Sequence, residues 1–370
     1  MENCQTQDII KNRLASVDAL RGFTMFWISY GVVIFIEFFS VFKNPVVDAI
    51  HVQLSHVAWE GFRFYDLIFP MFLFLVGVVL PFSLARRVER GDSRSKLLLH
   101  IIRRTVILVF LGLMLNGLMK FDFAQMRWPG VLQRIGICYF FASLIVMYTG
   151  WRIQGVITVS ILVLYWLMLT FVPVPGYGAG VITPEGCLSS FIDQLLIPGK
   201  LYYGYGDNEG LISTLPAVST VLIGVLAGYW LRSSYSCSRK TVGLALAGIV
   251  FLTVGYLWGF SFPIIKNIWT STYVLVAGGW SLLMLALFYW VIDVKGYKKW
   301  AFFFMVIGMN PIAAYVLVRI VDFQHTADIF VMGMANQFGE FKPAFLAFSV
   351  VMLVWLLLFF LYRKKIFFKV

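Results

Sequence analysis

The chain has 370 residues, of which 60% are hydrophobic and only 13% are charged, and its mean hydropathy is +0.84. A soluble domain carries about 25% charged residues, so this composition excludes an ordinary soluble protein. The formal net charge of +12 does not indicate a nucleic-acid partner, because the basic residues are scattered over several short segments between apolar runs.

Apolar runs of membrane-spanning length recur along the whole chain. A helix needs roughly 20 apolar residues to cross a hydrocarbon core about 30 Å thick. The sequence therefore predicts an all-α polytopic membrane protein of about ten transmembrane helices, surrounded by the lipid bilayer. The predicted spans are residues 22–42, 64–84, 104–119, 130–149, 155–173, 211–231, 241–260, 271–292, 301–320 and 343–362.

Basic residues indicate which ends of the spans face the cytoplasm. Most of the 30 lysine and arginine residues fall in segments on the side that holds both termini. Because cytoplasmic loops are enriched in Lys and Arg, we predict cytoplasmic ends at 1–21 and 363–370 of a single transmembrane domain, 1–370. No N-x-[ST] acceptor occurs, which favours the inner membrane of a bacterium. The spacing of Cys and His matches no metal site, so we expect no metal cofactor.

Four titratable side chains stand where the second span begins, in the segment "SHVAWEGFRFYDLIFP". Ionisable groups at a membrane span are costly and tend to line functional cavities. Structural roles are available for two of them, because Asp66 can stabilise a helix N-terminus and Arg63 can extend toward the headgroups. His56, crowded by Trp59 and Glu60, is a candidate general base, since an imidazole held by a carboxylate accepts protons near neutral pH. A purely structural histidine is the alternative.

Further polar side chains stand at the outer ends of later spans. Helix capping or extension toward the headgroups also explains several of them. In the predicted topology they share the outer half of the protein with His56, and we interpret them as candidate substrate-binding residues. They are Arg134, Asp207, Glu209, Lys266, Asn267 and Trp269. Asn310 is a further candidate, within the ninth span, where Pro311 frees a backbone carbonyl inside the membrane.

The densest cationic stretch, "ARRVERGDSRSKLLLHIIRR", lies on the predicted inner side. Positive-inside topology and anionic lipid headgroups explain it without any ligand. The alternative is a docking surface for a polyanionic cytosolic ligand. The candidate contacts for such a ligand are Arg86, Arg87, Arg103 and Arg104.

Seven blocks of the chain, in order, resemble the heparan-alpha-glucosaminide N-acetyltransferase family. They are "SVDALRG", "HVAWEGFRFYDLIFPMFLFLVG", "VLQRIGICYF", "DNEGLISTLPAVSTVLIGVLAG", "KNIWTSTYVL", "DVKG" and "GMNPIAAYVL". Part of the first block, "DALRG", also resembles the opening of the wider acyltransferase-3 proteins. The resemblance implies a transmembrane acyltransferase-like helix bundle.

The resemblance further implies transfer of an acetyl group from cytosolic acetyl-CoA to a glucosamine-type amino sugar on the outer side. The family's essential histidine matches His56, as a general base or a transient acetyl carrier, and Asp66 would be its electrostatic partner. The CoA phosphates would bind the inner arginines, and we add Asp18 and Arg21 of the first block to the cofactor-binding candidates.

The acceptor side is the part in which this chain departs from the family. Many relatives have asparagine where this chain has Glu60, and relatives often carry a catalytic asparagine near the position of Ser29 and Tyr30. Trp59, Glu60 and Arg63 would belong to the acceptor entrance. The tetrahedral intermediate needs a hydrogen-bond donor, for which Asn267 and Asn310 remain equal candidates.

Two other functions fit the same polar residues. An O-acyltransferase would modify a hydroxyl of an envelope polysaccharide, and a transporter would carry a sugar or peptidoglycan fragment without chemistry. Which sugar is the acceptor, whether an acetyl-histidine forms, and whether the protein is a homodimer all stay open in the sequence.

Overall fold

The computed structural model of the chain describes residues 14–368. Over this range the chain is helical and contains isolated β-bridges but no strand. It contains nine helices long and apolar enough to cross a membrane, and a tenth if one bent helix pair counts as a span. The prediction of an all-α polytopic membrane protein is confirmed. Of the predicted cytoplasmic ends, residues 1–13 and 369–370 lie outside the described residues.

Fifteen α-helices follow one another over residues 14–368, numbered here in order. They are α1 (Ala15–Phe26), α2 (Val32–Phe39), α3 (Pro45–Gln53), α4 (Phe64–Glu89), α5 (Arg94–Leu115), α6 (Val131–Tyr148), α7 (Trp151–Phe171), α8 (Leu188–Leu196), α9 (Thr214–Arg232), α10 (Cys237–Gly259), α11 (Ser271–Phe288), α12 (Phe302–Met309), α13 (Pro311–Ile320), α14 (Phe323–Ala335) and α15 (Lys342–Arg363).

Four of the predicted spans differ clearly from the helices observed. The first begins at Ala15 instead of residue 22. The third begins at Arg94 instead of residue 104, because Ser93 caps the helix by accepting from the backbone N–H of Lys96. The ninth is broken into α12 and α13, which meet at an angle of 78°, because Pro311 cannot continue the hydrogen-bond ladder. The last is the end of a longer helical stretch, Phe323–Arg363, interrupted where Gly339 adopts a φ of 55°.

The longer segments between the predicted spans contain short helices. In the segment 43–63, α3 begins where the Asn44 side chain accepts from the backbone N–H groups of Val46 and Val47 and where Pro45 supplies a helical φ angle. The segments 174–210 and 321–342 similarly contain α8 and α14. Short caps of this kind hold the outer segments in one conformation.

The chain divides into two compact units. The first comprises residues 14–57, 63–72 and 284–368, and the second comprises 58–62 and 73–283. Helices α4 and α11 each begin in one unit and end in the other. The single-domain organisation of 1–370 stays a prediction.

In the first unit, α1 and α12 touch backbone to backbone. A Cβ added to Gly22 would stand 1.7 Å from the carbonyl oxygen of Phe304, and one added to Gly308 would stand 1.8 Å from that of Asp18. Small residues allow the two backbones to approach this closely. In a membrane, lipid tails are as apolar as the side chains, so helices associate through such van der Waals packing and not through the hydrophobic effect.

In the second unit, α4 and α9 make the same kind of contact. A Cβ at Gly77 would meet the carbonyl oxygen of Val221 at 1.9 Å, and one at Gly224 would meet that of Phe74 at 1.9 Å. These two helices are the most enclosed of the candidate spans, while the outward faces of α10 are largely exposed, as suits contact with lipid.

The α1–α12 contact predicts the effect of a single methyl group. Gly22→Ala should lower the thermal unfolding temperature in detergent, because overpacking at a backbone contact costs about 1–3 kcal/mol. Gly155→Ala is the matched control, since Gly155 is also helical and an added Cβ meets nothing within 4 Å. Equal unfolding temperatures for the two variants would contradict the close contact.

Candidate active site

His56 and Asp66 form a hydrogen-bonded pair in the first unit. His56 Nδ1 lies 2.8 Å from Asp66 Oδ1, and Asp66 is in the first turn of α4. A carboxylate has no proton to give, so Nδ1–H donates and the lone pair of the ring is placed on Nε2. The imidazole is about half exposed, at 49%, whereas the carboxylate is fully buried.

The Asp66 carboxylate is held by the backbone as well as by the imidazole. Its Oδ2 accepts from the N–H of Val57 at 3.3 Å and from the N–H of Arg63 at 3.2 Å. Such bonds and the dipole at a helix N-terminus both stabilise negative charge. Helix capping and imidazole orientation are therefore performed by the same carboxylate.

The segment that carries His56 is fixed on its other side by Arg63. The Arg63 guanidinium donates to Ser55 Oγ at 2.7 Å and to the carbonyl oxygen of His56 at 3.0 Å. The Tyr65 ring stacks on the imidazole with 4.5 Å between ring centroids. The imidazole is thus positioned by a carboxylate, a guanidinium and an aromatic ring. Sequence reasoning missed Ser55 and Tyr65, because neither residue type signals such a role.

Residues 58–62, which follow shortly after His56, belong to the second unit. There Gly61 N donates to the carbonyl oxygen of Ile264 at 2.8 Å, and Asn267 Nδ2 donates to that of Ala58 at 3.2 Å. Trp59 Nε1 donates to the carbonyl oxygen of Ile182 at 3.0 Å. Glu60 forms an antiparallel bridge with Ile265 through its backbone and keeps its side chain exposed.

Asp207 and Glu209 share one guanidinium, that of Arg127. Arg127 donates to both oxygens of Asp207, at 2.8 and 2.6 Å, to Asn208 Oδ1 at 2.7 Å, and to Glu209. Burial alone would lower the pKa of Arg127, but its bonds to the two carboxylates outweigh that effect and raise its pKa above the usual value. Sequence reasoning missed Arg127, because its two carboxylate partners lie 80 and 82 residues away in the chain.

Arg134 is buried in the same unit and does not extend to the headgroups. It donates to the carbonyl oxygens of Asn208 at 2.8 Å and Gly210 at 3.1 Å, and to Ser213 Oγ at 2.5 Å. Its guanidinium lies 4.9 Å from the ring of Trp269. Arg134 thus stabilises the loop before α9 through these hydrogen bonds, which is a structural role.

Two more of the predicted substrate-binding residues lie in different parts of the structure. Lys266, half-buried, precedes Asn267 in the turn before α11. Asn310 is buried at the break between α12 and α13, where its Nδ2 donates to the carbonyl oxygen of Ile366 and its Oδ1 accepts from Phe368 N, each at 3.0 Å. The amide of Asn310 therefore joins the helix break to the C-terminal segment.

The predicted cofactor-binding residues fall into two groups. In the first unit, Asp18 and Arg21 form an ion pair within α1. In the second, four arginines lie on the hairpin of α4 and α5: Arg86, Arg87, Arg103 and Arg104.

The arginine hairpin combines fixed and exposed guanidinium groups. Arg87 lies 3.3 Å from Asp92 Oδ2 and 3.2 Å from His100 Nε2, and the Arg104 guanidinium lies 4.4 Å from the Tyr139 ring centroid. Arg103 is exposed. Guanidinium groups are suited to phosphate oxygens, so this donor set fits the phosphates of CoA. Within residues 14–368 no group of three or more His, Cys, Asp or Glu is placed to hold a metal ion.

Comparison with known proteins supports the family resemblance. Residues 13–180 match a family described as a domain of unknown function, DUF5009. The chain is 27% identical to heparan-alpha-glucosaminide N-acetyltransferase of Mus musculus, over 99% of this chain and 62% of that protein. It is 28% identical to the Homo sapiens protein of the same name, over 97% of this chain and 60% of that protein. The resemblance is thereby confirmed, although the chain spans only about three fifths of the length of these relatives.

Asp193, a buried residue of α8, makes stability depend on pH. It accepts from Leu211 N at 2.9 Å and from Asp207 N at 3.2 Å, and burial raises its pKa from 3.8 to about 6. A raised carboxyl pKa contributes stability that is complete below pH 3.8 and is lost as the pH rises through about 6.

Wild-type protein should therefore lose unfolding free energy relative to Asp193→Asn between pH 4 and pH 7, by about 3 kcal/mol. Paired thermal unfolding in detergent across this range measures the difference, since other titrating groups cancel between the two proteins. A difference that stays constant with pH would show that Asp193 titrates normally.

Proposed function

From the resemblance to heparan-alpha-glucosaminide N-acetyltransferase over nearly the whole chain, we propose that this protein is a transmembrane acetyltransferase. Acetyl-CoA is the proposed donor, and the amine of a glucosamine-type sugar on the outer side is the proposed acceptor. The observation that carries the proposal is the pair of a half-exposed imidazole and a buried carboxylate, His56 and Asp66.

In the proposed reaction, His56 Nε2 takes a proton from the acceptor amine as the amine attacks the thioester carbonyl. A C–N bond forms, the C–S bond breaks, and the imidazolium returns its proton to the leaving thiolate of CoA. Asp66 holds the ring in one tautomer and stabilises the imidazolium by its negative charge. In the alternative route, Nε2 first accepts the acetyl group and then passes it to the amine.

The arginine hairpin is the proposed site for the CoA phosphates, which cannot enter hydrocarbon. Arg86, Arg87, Arg103 and Arg104 supply the charge, and Asp18 and Arg21 stay candidate contacts in the first unit. This assignment goes with the predicted topology, in which both termini and this hairpin are cytoplasmic in a bacterial inner membrane. A homodimer also stays a proposal.

The acceptor contacts are proposed on the outer side. Trp59, Glu60 and Arg63 are kept as acceptor contacts, although Arg63 already orients the backbone of His56. Four other candidates already bond to one another or to the loop before α9, so their proposed role is to keep that loop rigid. They are Asp207, Glu209, Arg134 and Trp269. The two oxyanion candidates, Asn267 and Asn310, stay equal, because the amide groups of both already make hydrogen bonds through Nδ2 and Oδ1.

Removal of the imidazole tests the proposed base. His56→Ala should fold but lose acetyl transfer to glucosamine by about two to four orders of magnitude, the usual contribution of a general base. Asp66→Asn should lose less, because an amide oxygen can still accept the Nδ1 proton. Transfer by purified protein is measured together with thermal unfolding, and His325→Ala serves as the control for an exposed histidine of the same unit. A well-folded His56→Ala protein with normal activity would refute the mechanism.

Charge removal on the hairpin tests the proposed donor site. Arg103→Ala and Arg86→Ala should weaken acetyl-CoA binding measured by titration calorimetry, and the difference from wild type should shrink as salt screens the interaction. Arg103→Lys should retain more affinity than Arg103→Ala if charge dominates. Arg152→Ala, an exposed arginine at the start of α7, is the control. Unchanged affinity in both hairpin alanine variants would leave these two arginines only a topological role.

A further inference from the structure

The loop "LYYGYG" between α8 and α9 displays two tyrosine rings as a parallel pair. The rings of Tyr203 and Tyr205 are 5.4 Å apart between centroids and only 5° from parallel. Gly204 has a φ of 78°, a left-handed conformation that suits glycine, and Tyr203 N donates to the carbonyl oxygen of Gly206 at 3.1 Å. The tight turn thus brings residues two apart in sequence onto one side of the loop.

One buried amide holds the pair in place. Tyr203 OH donates to Asn267 Oδ1 at 3.3 Å, and the Tyr205 ring is stacked on the Tyr203 ring. The edge of the Trp59 indole approaches the Tyr205 ring at 5.9 Å, and that indole is itself fixed by its bond to Ile182. The four side chains therefore form a preorganised surface, named here the tyrosine platform: Trp59, Tyr203, Tyr205 and Asn267.

The platform is partly open to solvent although it is rigid. Tyr203 is 37% exposed and its neighbour Tyr202 is 57% exposed, whereas Asp207 and Glu209 in the same loop are buried. Packing alone would be served better by rings buried on both faces. A rigid, partly exposed aromatic surface with hydrogen-bonding groups at its edge is the usual form of a ligand-binding surface.

The charged groups near the platform already pair with one another. Arg127, over the Tyr202 ring at 4.7 Å, is bonded to two carboxylates, Asp207 and Glu209, and Arg134 donates to a carbonyl group of the same loop. The ligand chemistry of the platform is therefore set by its aromatic faces. Aromatic faces carry negative charge density, so they attract both the C–H face of a pyranose and a nearby protonated amine.

We propose that the tyrosine platform binds the pyranose ring of the amino-sugar acceptor by stacking. This inference rests on the proposed function and specifies where its acceptor is held. Trp59 follows His56 by three residues in the chain. Tyr203 and Tyr205 are substrate-positioning residues in this proposal, and neither takes part in proton transfer.

The test separates acceptor binding from chemistry. Tyr203→Leu and Tyr205→Leu should raise the KM for glucosamine about tenfold, which corresponds to about 1.4 kcal/mol, while kcat and acetyl-CoA affinity stay near wild type. Tyr203→Phe keeps the ring and should retain most of the affinity. Tyr177→Leu is the matched control, because Tyr177 is 53% exposed in the same outer segment but lies outside the platform. Binding of glucosamine and of its β-1,4-linked disaccharide is measured in parallel by calorimetry without acetyl-CoA.

The outcomes distinguish the platform from the proposed function. Wild-type protein that binds the sugars, Tyr203→Leu protein that does not, and no acetyl transfer by either would support the platform and refute the acetyltransferase. Normal transfer with an unchanged acceptor KM in both leucine variants would refute the platform alone. A lower thermal unfolding temperature with unchanged sugar binding in both leucine variants would refute it too, by assigning the tyrosines a structural role.

Discussion

A carboxylate taken out of water must find hydrogen-bond donors within the protein, and the arrangement around Asp66 follows from this requirement. Its donors are the imidazole of His56 and the backbone N–H groups of Val57 and Arg63, which stand on both sides of the segment that changes unit. Because the carboxylate is fully buried, these donors replace hydrogen bonds that it would otherwise make to water. The requirement that stabilises the beginning of α4 therefore also orients the imidazole.

The same constraint shapes the loop before α9 in the second unit, where the buried charged groups stabilise the loop. Asp207 and Glu209 surround Arg127, and Arg134 is surrounded by loop carbonyl groups. These charges are satisfied by one another, so their hydrogen-bonding capacity is largely used in holding the loop before α9. Exposed side chains on that rigid loop, the tyrosines above all, are then better placed to meet a ligand than the buried charges beneath them.

Prediction from sequence succeeded where a signal is local and failed where it depends on distant pairing. Hydropathy and length located the spans, and a helix beginning near residue 64 with an acid in its first turn was evident from "FRFYDLIFP". The pairing of Arg127 with Asp207 joins residues 80 apart, and that of Asn310 with Ile366 joins residues 56 apart. Neither leaves a mark in composition or periodicity, because a salt bridge or amide contact needs only two side chains to meet.

The sequence by itself determined that this is a helical membrane protein, approximately where its spans lie, and which block carries the histidine and the acid of the candidate site. The physical reason is that hydrocarbon thickness imposes a length and a composition on every span. The tertiary structure alone decided which polar residues became partners. It joined Asp66 to the imidazole, turned Asp207, Glu209 and Arg134 into loop scaffold, and brought Tyr203 onto Asn267. Those contacts depend on how helices and loops pack in three dimensions, and that packing is set by the whole chain.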